Sequence, residues 1–129
     1  MACAFQAGSL PMRTLICALA FLIRQRARQI FPERVGFHAR RLDLTWKGIR
    51  ITSARTRYGS CSADNRLSFS FRLVMAPYDV IDYIVVHELA HTKIKNHSKR
   101  FWEYVGKVMP DYKRRKEWLL GRFAAKKLC

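Results

Sequence analysis

The tightest constraint on this chain lies between Pro77 and His91, where Val80-Ile81-Asp82-Tyr83-Ile84-Val85-Val86 leads directly into His-Glu-Leu-Ala-His. Proline is well suited to a first helical turn, and Asp79 and Asp82 place negative charge at the positive end of a helix dipole. A helix from Pro77 through His91 is therefore expected. Its apolar residues belong in the core, and a buried helix holds the polar residues at its end within narrow tolerances.

Residues four apart on a helix are separated by about 40° around the axis and about 6 Å along it. His87 and His91 would thus direct both imidazoles from one face toward one ion. Glu88, turned about 100° from His87, would lie beside the ion without binding it. This is the H-E-x-x-H arrangement of two ligands and a base for metal-activated water. Zinc suits such a site because it favours imidazole nitrogen and is redox-inert.

A catalytic zinc needs a third protein ligand, and His97 is the leading candidate. It stands ten residues after His87, as in H-E-x-x-H-x-x-G-x-x-H, although Ile94 occupies the glycine position of that pattern. The chain must then turn elsewhere, with Lys95-Asn96 the expected place because Asn tolerates left-handed backbone. Glu103 and Glu117 remain alternatives, either of which would complete a two-His, one-Glu site. His38, far off in sequence, is assigned a surface or packing role.

Elsewhere the pattern predicts an α+β chain with a small antiparallel sheet packed on the histidine-bearing helix. Residues 1–20 carry little signal, and residues 21–129 form the expected domain. Apolar residues followed by basic ones predict a helix over 15–31, ended by Pro32, with a second helix from Pro32 to Leu42 bearing Val35, Ala39 and Leu42 on one stripe. Ile49 and Ile51 alternate with Arg50 and Thr52, predicting a strand; Leu67, Phe69 and Phe71 predict another. The turn-rich GSCSADN between them suggests that the two pair as an antiparallel hairpin. Ser98 is a candidate N-cap for a helix to Val108. Pro110 ends it, and Asp111 caps a last basic helix with Trp118, Leu119 and Phe123.

Length, 129 residues, suits a single core. Twenty-five Lys and Arg against nine Asp and Glu leave a net charge of +16, which attracts nucleotides, nucleic acid or acidic proteins. The four cysteines, Cys3, Cys17, Cys61 and Cys129, form no close pair and fit a reducing, cytoplasmic setting. No apolar run reaches the roughly 18 residues of a membrane span. In Leu15–Ile23 the A-x-A lies inside the apolar run instead of after it, which argues against a signal peptide.

In order and spacing, TRYGSCS, RLVMAP, VIDYIVVHELAH, NHSKRFW and MPDYKRRKEWL resemble the YgjP-like metallopeptidase family, which is related to the SprT-like and WLM zinc peptidases. The resemblance spans about residues 21–121. It implies a minimal zincin fold, one zinc ion held by His87, His91 and His97, and Glu88 as general base. The family's R-W-G-S-C-S segment falls on Arg57–Ser62, with Tyr58 in place of Trp, and is expected near the cleft. Members usually carry a longer β-rich portion before this core, where the present chain has about twenty residues of unlike character.

Hydrolysis of a peptide or protein substrate is the leading expectation. Arg57, Tyr58 and Tyr83 are candidate substrate or oxyanion contacts. The family also carries a nucleotide (UTP) pyrophosphatase assignment, and the positive charge suits a triphosphate, but no G-x-x-x-x-G-K-[ST] loop is present. A third reading is a nucleic-acid-associated protein with a non-catalytic zinc site, although no zinc ribbon or helix-turn-helix supports it.

Overall fold

A computed structural model describes residues 11–55 and 57–123. Four helices and three short strands follow in the order α1 (Met12–Leu42), β1 (Gly48–Thr52), β2 (Gly59–Cys61), β3 (Arg66–Ser70), α2 (Tyr78–Ala90), α3 (Lys99–Val108) and α4 (Tyr112–Phe123). A 3-10 turn over Phe71–Met75 joins β3 to α2. The α+β expectation holds. Residues 1–10, with Cys3, and Cys129 lie outside the described residues, as does the side chain of Phe123.

The two expected N-terminal helices are one. Helix α1 runs unbroken through Pro32, which removes a hydrogen bond and crowds the carbonyl of Arg28. Packing outweighs that cost, because Ala27, Ile30, Phe31, Val35 and Ala39 continue one buried stripe across the proline. Phe31 stacks flat on Phe69 of β3 at 4.6 Å, which clamps the middle of α1 to the sheet. The helix ends at Asp43, whose left-handed conformation turns its N–H onto the carbonyls of Ala39 and Arg40.

Pairing in the sheet also departs from expectation. The order is β1-β3-β2, with β1 parallel to β3 and only β2 antiparallel to it. The tight turn after Cys61, with Asn65 left-handed at φ 68°, folds β3 back onto its immediate predecessor, the three-residue β2. The Ile49 strand is thereby left to pair on the other edge, with Ile49 opposite Leu67 and Ile51 opposite Phe69. Phe71 does not extend β3, because Ser70 Oγ accepts the N–H of Arg72 and starts the 3-10 turn.

Helix α2 is the centre of the molecule, with every residue from Tyr83 to Ala90 buried. It is enclosed by α1, β2, α3 and α4. Asp82, on its α1 side, receives Arg34 Nε at 2.8 Å and Nη2 at 3.0 Å, and His38 Nε2 lies 3.2 Å away. Arg41 Nη2 meets His38 Nδ1 at 3.0 Å, and since arginine can only donate, Nδ1 accepts and the ring proton is on Nε2 toward Asp82. His38 is thus a buried packing residue that joins two helices.

Burial alone would raise the Asp82 carboxyl, but bonding to His38 and Arg34, and their nearby charge, hold it below its ordinary value. A depressed folded value contributes stability above the unfolded value, and that contribution disappears as pH falls through the folded one. Asp82→Asn is therefore expected to cost about 1–3 kcal/mol at neutral pH, with the gap to wild type closing below roughly pH 4. Thermal melts of both proteins across pH 3–7 check this; a pH-independent gap would contradict it.

Candidate metal centre

His87 and His91 end helix α2, one turn apart and both buried; His97 follows on an exposed loop. The reversal that brings His97 back occurs earlier than Lys95-Asn96. Successive i→i+3 bonds, His91 N–H to Glu88, Thr92 to Leu89 and Lys93 to Ala90, tighten the helix end, and Ile94 N–H returns to Ala90 at 2.8 Å. Asn96 is not left-handed, since Asp43 and Asn65 alone among the described non-glycine residues have positive φ. No glycine is needed at position 94. The Lys95 ammonium ties the loop to the β2–β3 turn through Asn65 and the Ser62 carbonyl.

The three imidazoles converge. Nε2 of His97 lies 3.2 Å from Nε2 of His91 and 3.3 Å from Nε2 of His87. They form a group able to hold a metal ion, and among the described residues no other such group occurs. Glu103 and Glu117 are not part of it. Each buried ring is oriented from behind. His91 Nδ1 faces the Ile94 carbonyl at 2.9 Å, so it carries the proton and leaves the Nε2 lone pair pointing at the other histidines. Tyr83 sits behind His87, with its hydroxyl 3.5 Å from Nδ1.

That position bears on the Tyr83 expectation. Tyr83 is wholly buried, and its hydroxyl faces the ring nitrogen opposite Nε2. It lies behind the His87 ring, on the side away from the converging Nε2 atoms. Burial, with Glu88 and Tyr112 nearby, pushes its phenol far above the ordinary value, so the hydroxyl remains protonated. Tyr58 is also in the core, 1 % exposed. Arg57 is exposed, and its charge reaches Glu88.

Glu88 is completely buried, with Oε2 4.0 Å from His87 Nε2, and neither carboxylate oxygen has a hydrogen-bond partner among the described residues. Burial raises its carboxyl well above the ordinary value, and Arg57 opposes that shift. A buried carboxylate without a partner is costly, and one beside a ligand cluster marks a functional group.

Three contributors were missed in the sequence. Gly59 of β2 lies against Glu88: a Cβ there would stand 3.0 Å from Glu88 Cγ and 3.0 Å from Oε2. Phe101 stacks on His91 at 4.4 Å, and Trp102 stacks on His97 at 5.9 Å. Tyr112 in turn stacks on Trp102 at 5.4 Å. The FW pair at the start of α3 carried a signal only through the family resemblance. Gly59 read as one more turn residue, because close approach between segments far apart in sequence leaves no local mark.

The model of the YgjP-like metallopeptidase domain matches residues 9–121. The chain belongs to the YgjP-like metallopeptidase family. A search of curated proteins returns none that matches. Two solved structures share the fold: the metallopeptidase zymogen abylysin of Pyrococcus abyssi and the metallopeptidase zymogen jannalysin of Methanocaldococcus jannaschii. Abylysin is 20 % identical with a TM-score of 0.67, the match covering 74 % of this chain and 97 % of that one. For jannalysin the values are 20 %, 0.63, 71 % and 95 %. Membership in this family makes the YgjP-like chain a metallohydrolase with a histidine triad able to bind metal. Among its described residues no helix is long and apolar enough to cross a membrane, and Cys17 and Cys61 are thiols.

Proposed function

We propose that the chain is a zinc-dependent peptidase in which Glu88 activates water for attack on a peptide bond. The observation that carries this reading is the spacing of the histidine nitrogens beside an unpartnered buried carboxylate. His97 Nε2 lies 3.2 and 3.3 Å from the other two Nε2 atoms, close enough for one ion to be shared, and an all-imidazole donor set suits zinc. Zinc held by His87, His91 and His97 would supply Lewis acidity, lowering the pKa of water and polarising the scissile carbonyl.

The protein's own residues provide the rest. Glu88 takes a proton from the attacking water and delivers it to the departing amine, so that one water and one peptide bond become a carboxylic acid and an amine. Its burial excludes competing solvent, and Gly59 leaves the space in which its carboxylate lies. Tyr83 and the Ile94 carbonyl hold His87 and His91 in the ligating tautomer. Arg57, exposed at the margin of the site, is the remaining candidate for contact with substrate oxygen. β2 is an outer strand of the sheet, so an extended substrate can add along its edge beside Glu88. The thiols suit a reducing compartment, and we assign the protein to the cytoplasm.

The test is a side-by-side assay of wild type and Glu88→Gln on denatured casein and on UTP. Cleavage of casein that depends on Glu88, with no turnover of UTP, is expected. Glu88-dependent pyrophosphate release without proteolysis would replace the peptidase by a nucleotide hydrolase. Gly59→Ala gives a second check: its methyl group forces the Glu88 carboxylate aside, and a displacement of this size is expected to lower kcat/KM by about 10- to 100-fold. Metal content should stay at the wild-type level. Full activity in Gly59→Ala would show that the carboxylate need not lie where the close contact places it.

A further inference from the structure

The outer face of the sheet carries a second feature, distinct from the histidine cluster. Register aligns Arg50, Ser68 and Ser60 in one row across β1, β3 and β2. Alternation along each strand turns this row away from Ile49, Leu67 and Cys61. Small residues make the floor of a trough of about 570 Å³, and Arg50, Arg57 and Arg66 line it. The Arg66 guanidinium lies beside Gly48, with Nη1 3.8 Å from where a Cβ would stand. A smaller hollow adjoins the trough and shares Arg57, Ser60 and Ser68 with it.

The charge of this trough is not balanced. Three guanidiniums face one carboxylate, Asp64, which Arg66 Nε already engages at 3.0 Å together with the Ser62 hydroxyl. Neither the Arg50 nor the Arg57 guanidinium makes a hydrogen bond or an ion pair within 4 Å with another described residue, although the Arg57 charge reaches Glu88. Guanidinium groups with hydrogen-bonding capacity to spare, alongside serine hydroxyls, suit carboxylates approaching from outside. The main trough has no aromatic ring, so it lacks the stacking platform that single-stranded nucleic acid uses.

We propose that this trough binds the acidic side chains of an extended peptide, which makes acidic segments the preferred substrate class. The proposal rests on the peptidase reading for its consequence, though not for the binding itself. A segment lying along β2 turns alternate side chains toward Glu88 and toward the arginine-lined face. The hollow that shares Arg57, Ser60 and Ser68 with the trough also includes Gly59, which packs against Glu88, so the two sites adjoin. The net charge of +16 favours encounter with acidic chains in general, whereas the trough would select where they lie.

The experiment uses the full chain in its Glu88→Gln form and a fluorescent peptide of alternating Glu and Ser, with the matched Gln and Ser peptide as control. At low salt the acidic peptide is expected to bind at least about tenfold more tightly, and Arg50→Glu with Arg66→Glu to remove that preference. Reversal of two exposed arginines on α1, Arg28→Glu with Arg40→Glu, should leave most of it. Equal binding of the two peptides, or equal loss with both reversed pairs, would overturn the trough as a site. In proteins that retain Glu88, the trough pair should raise KM for an acidic peptide about tenfold and leave a neutral one within about twofold. Acid-selective binding without any proteolysis would fell the peptidase reading and leave the trough standing. Proteolysis indifferent to acidic residues would do the reverse.

Discussion

Glu88→Gln is expected to lower peptide hydrolysis by between about a hundredfold and ten-thousandfold and to leave the metal content unchanged, the range that removal of a general base gives. The substitution keeps the shape of the side chain and exchanges a proton acceptor for an amide that cannot shuttle protons. Its setting makes the result interpretable. Glu88 is enclosed by helix α2 and Gly59, and no hydrogen bond of its carboxylate is lost. A fall in activity caused by misfolding would carry the metal away too, because His87 is the adjacent residue of the same buried turn. Steady-state kinetics on denatured casein, with metal content by mass spectrometry on the same samples, separates the two. Wild-type turnover by Glu88→Gln would end the assignment of the base.

His97→Ala is expected to weaken zinc binding by about a hundredfold to a thousandfold and to abolish detectable proteolysis. Zinc bound by four protein ligands contributes about 10–16 kcal/mol, so the loss of one ligand is about 2.5–4 kcal/mol. His97 is the informative choice among the three. His87 and His91 are buried against Phe101, and truncating either would also open a cavity in the core. His97 is exposed on its loop, so its loss leaves the fold nearly untouched. Competition with a zinc chelator measures the affinity, and an unchanged thermal melt of the metal-free proteins shows that the loss is local. Retention of wild-type affinity would remove His97 from the ligand set.

What could be read before folding was local. Helical spacing alone places His87 and His91 on one face and turns Glu88 aside, because 3.6 residues per turn fixes those angles wherever a helix forms. The same reasoning located α2, α3 with its Ser98 cap, and the start of α4 after Asp111. It failed at Pro32, where a local rule predicted a break. A buried stripe from Ala27 to Ala39 stabilises the continuous helix through contacts with residues more than thirty positions away, Phe69 among them. It failed likewise at the sheet, since alternation marks a strand but not its partner.

The histidine triad shows the same division. The three histidines and their order are written in HELAHTKIKNH, yet the way the chain brings them together is not. The Tyr83 hydroxyl behind His87 and the Ile94 carbonyl behind His91 are local contacts, four and three residues apart, that the histidine spacing did not flag, whereas the aromatic pair Phe101-Trp102 reaches the rings only when α3 packs on α2. Gly59 and the arginine-lined trough are further removed still. One requires β2 to be pressed against α2, and the other requires β1 to join the far edge of β3 in parallel. Periodicity and side-chain chemistry act within a few residues and survive in the bare chain, which is why the chemistry of this protein could be read early. Contacts between distant segments depend on which surfaces can be buried together. That competition is resolved only in three dimensions, and it placed Glu88 in a dry niche beside three converging imidazoles.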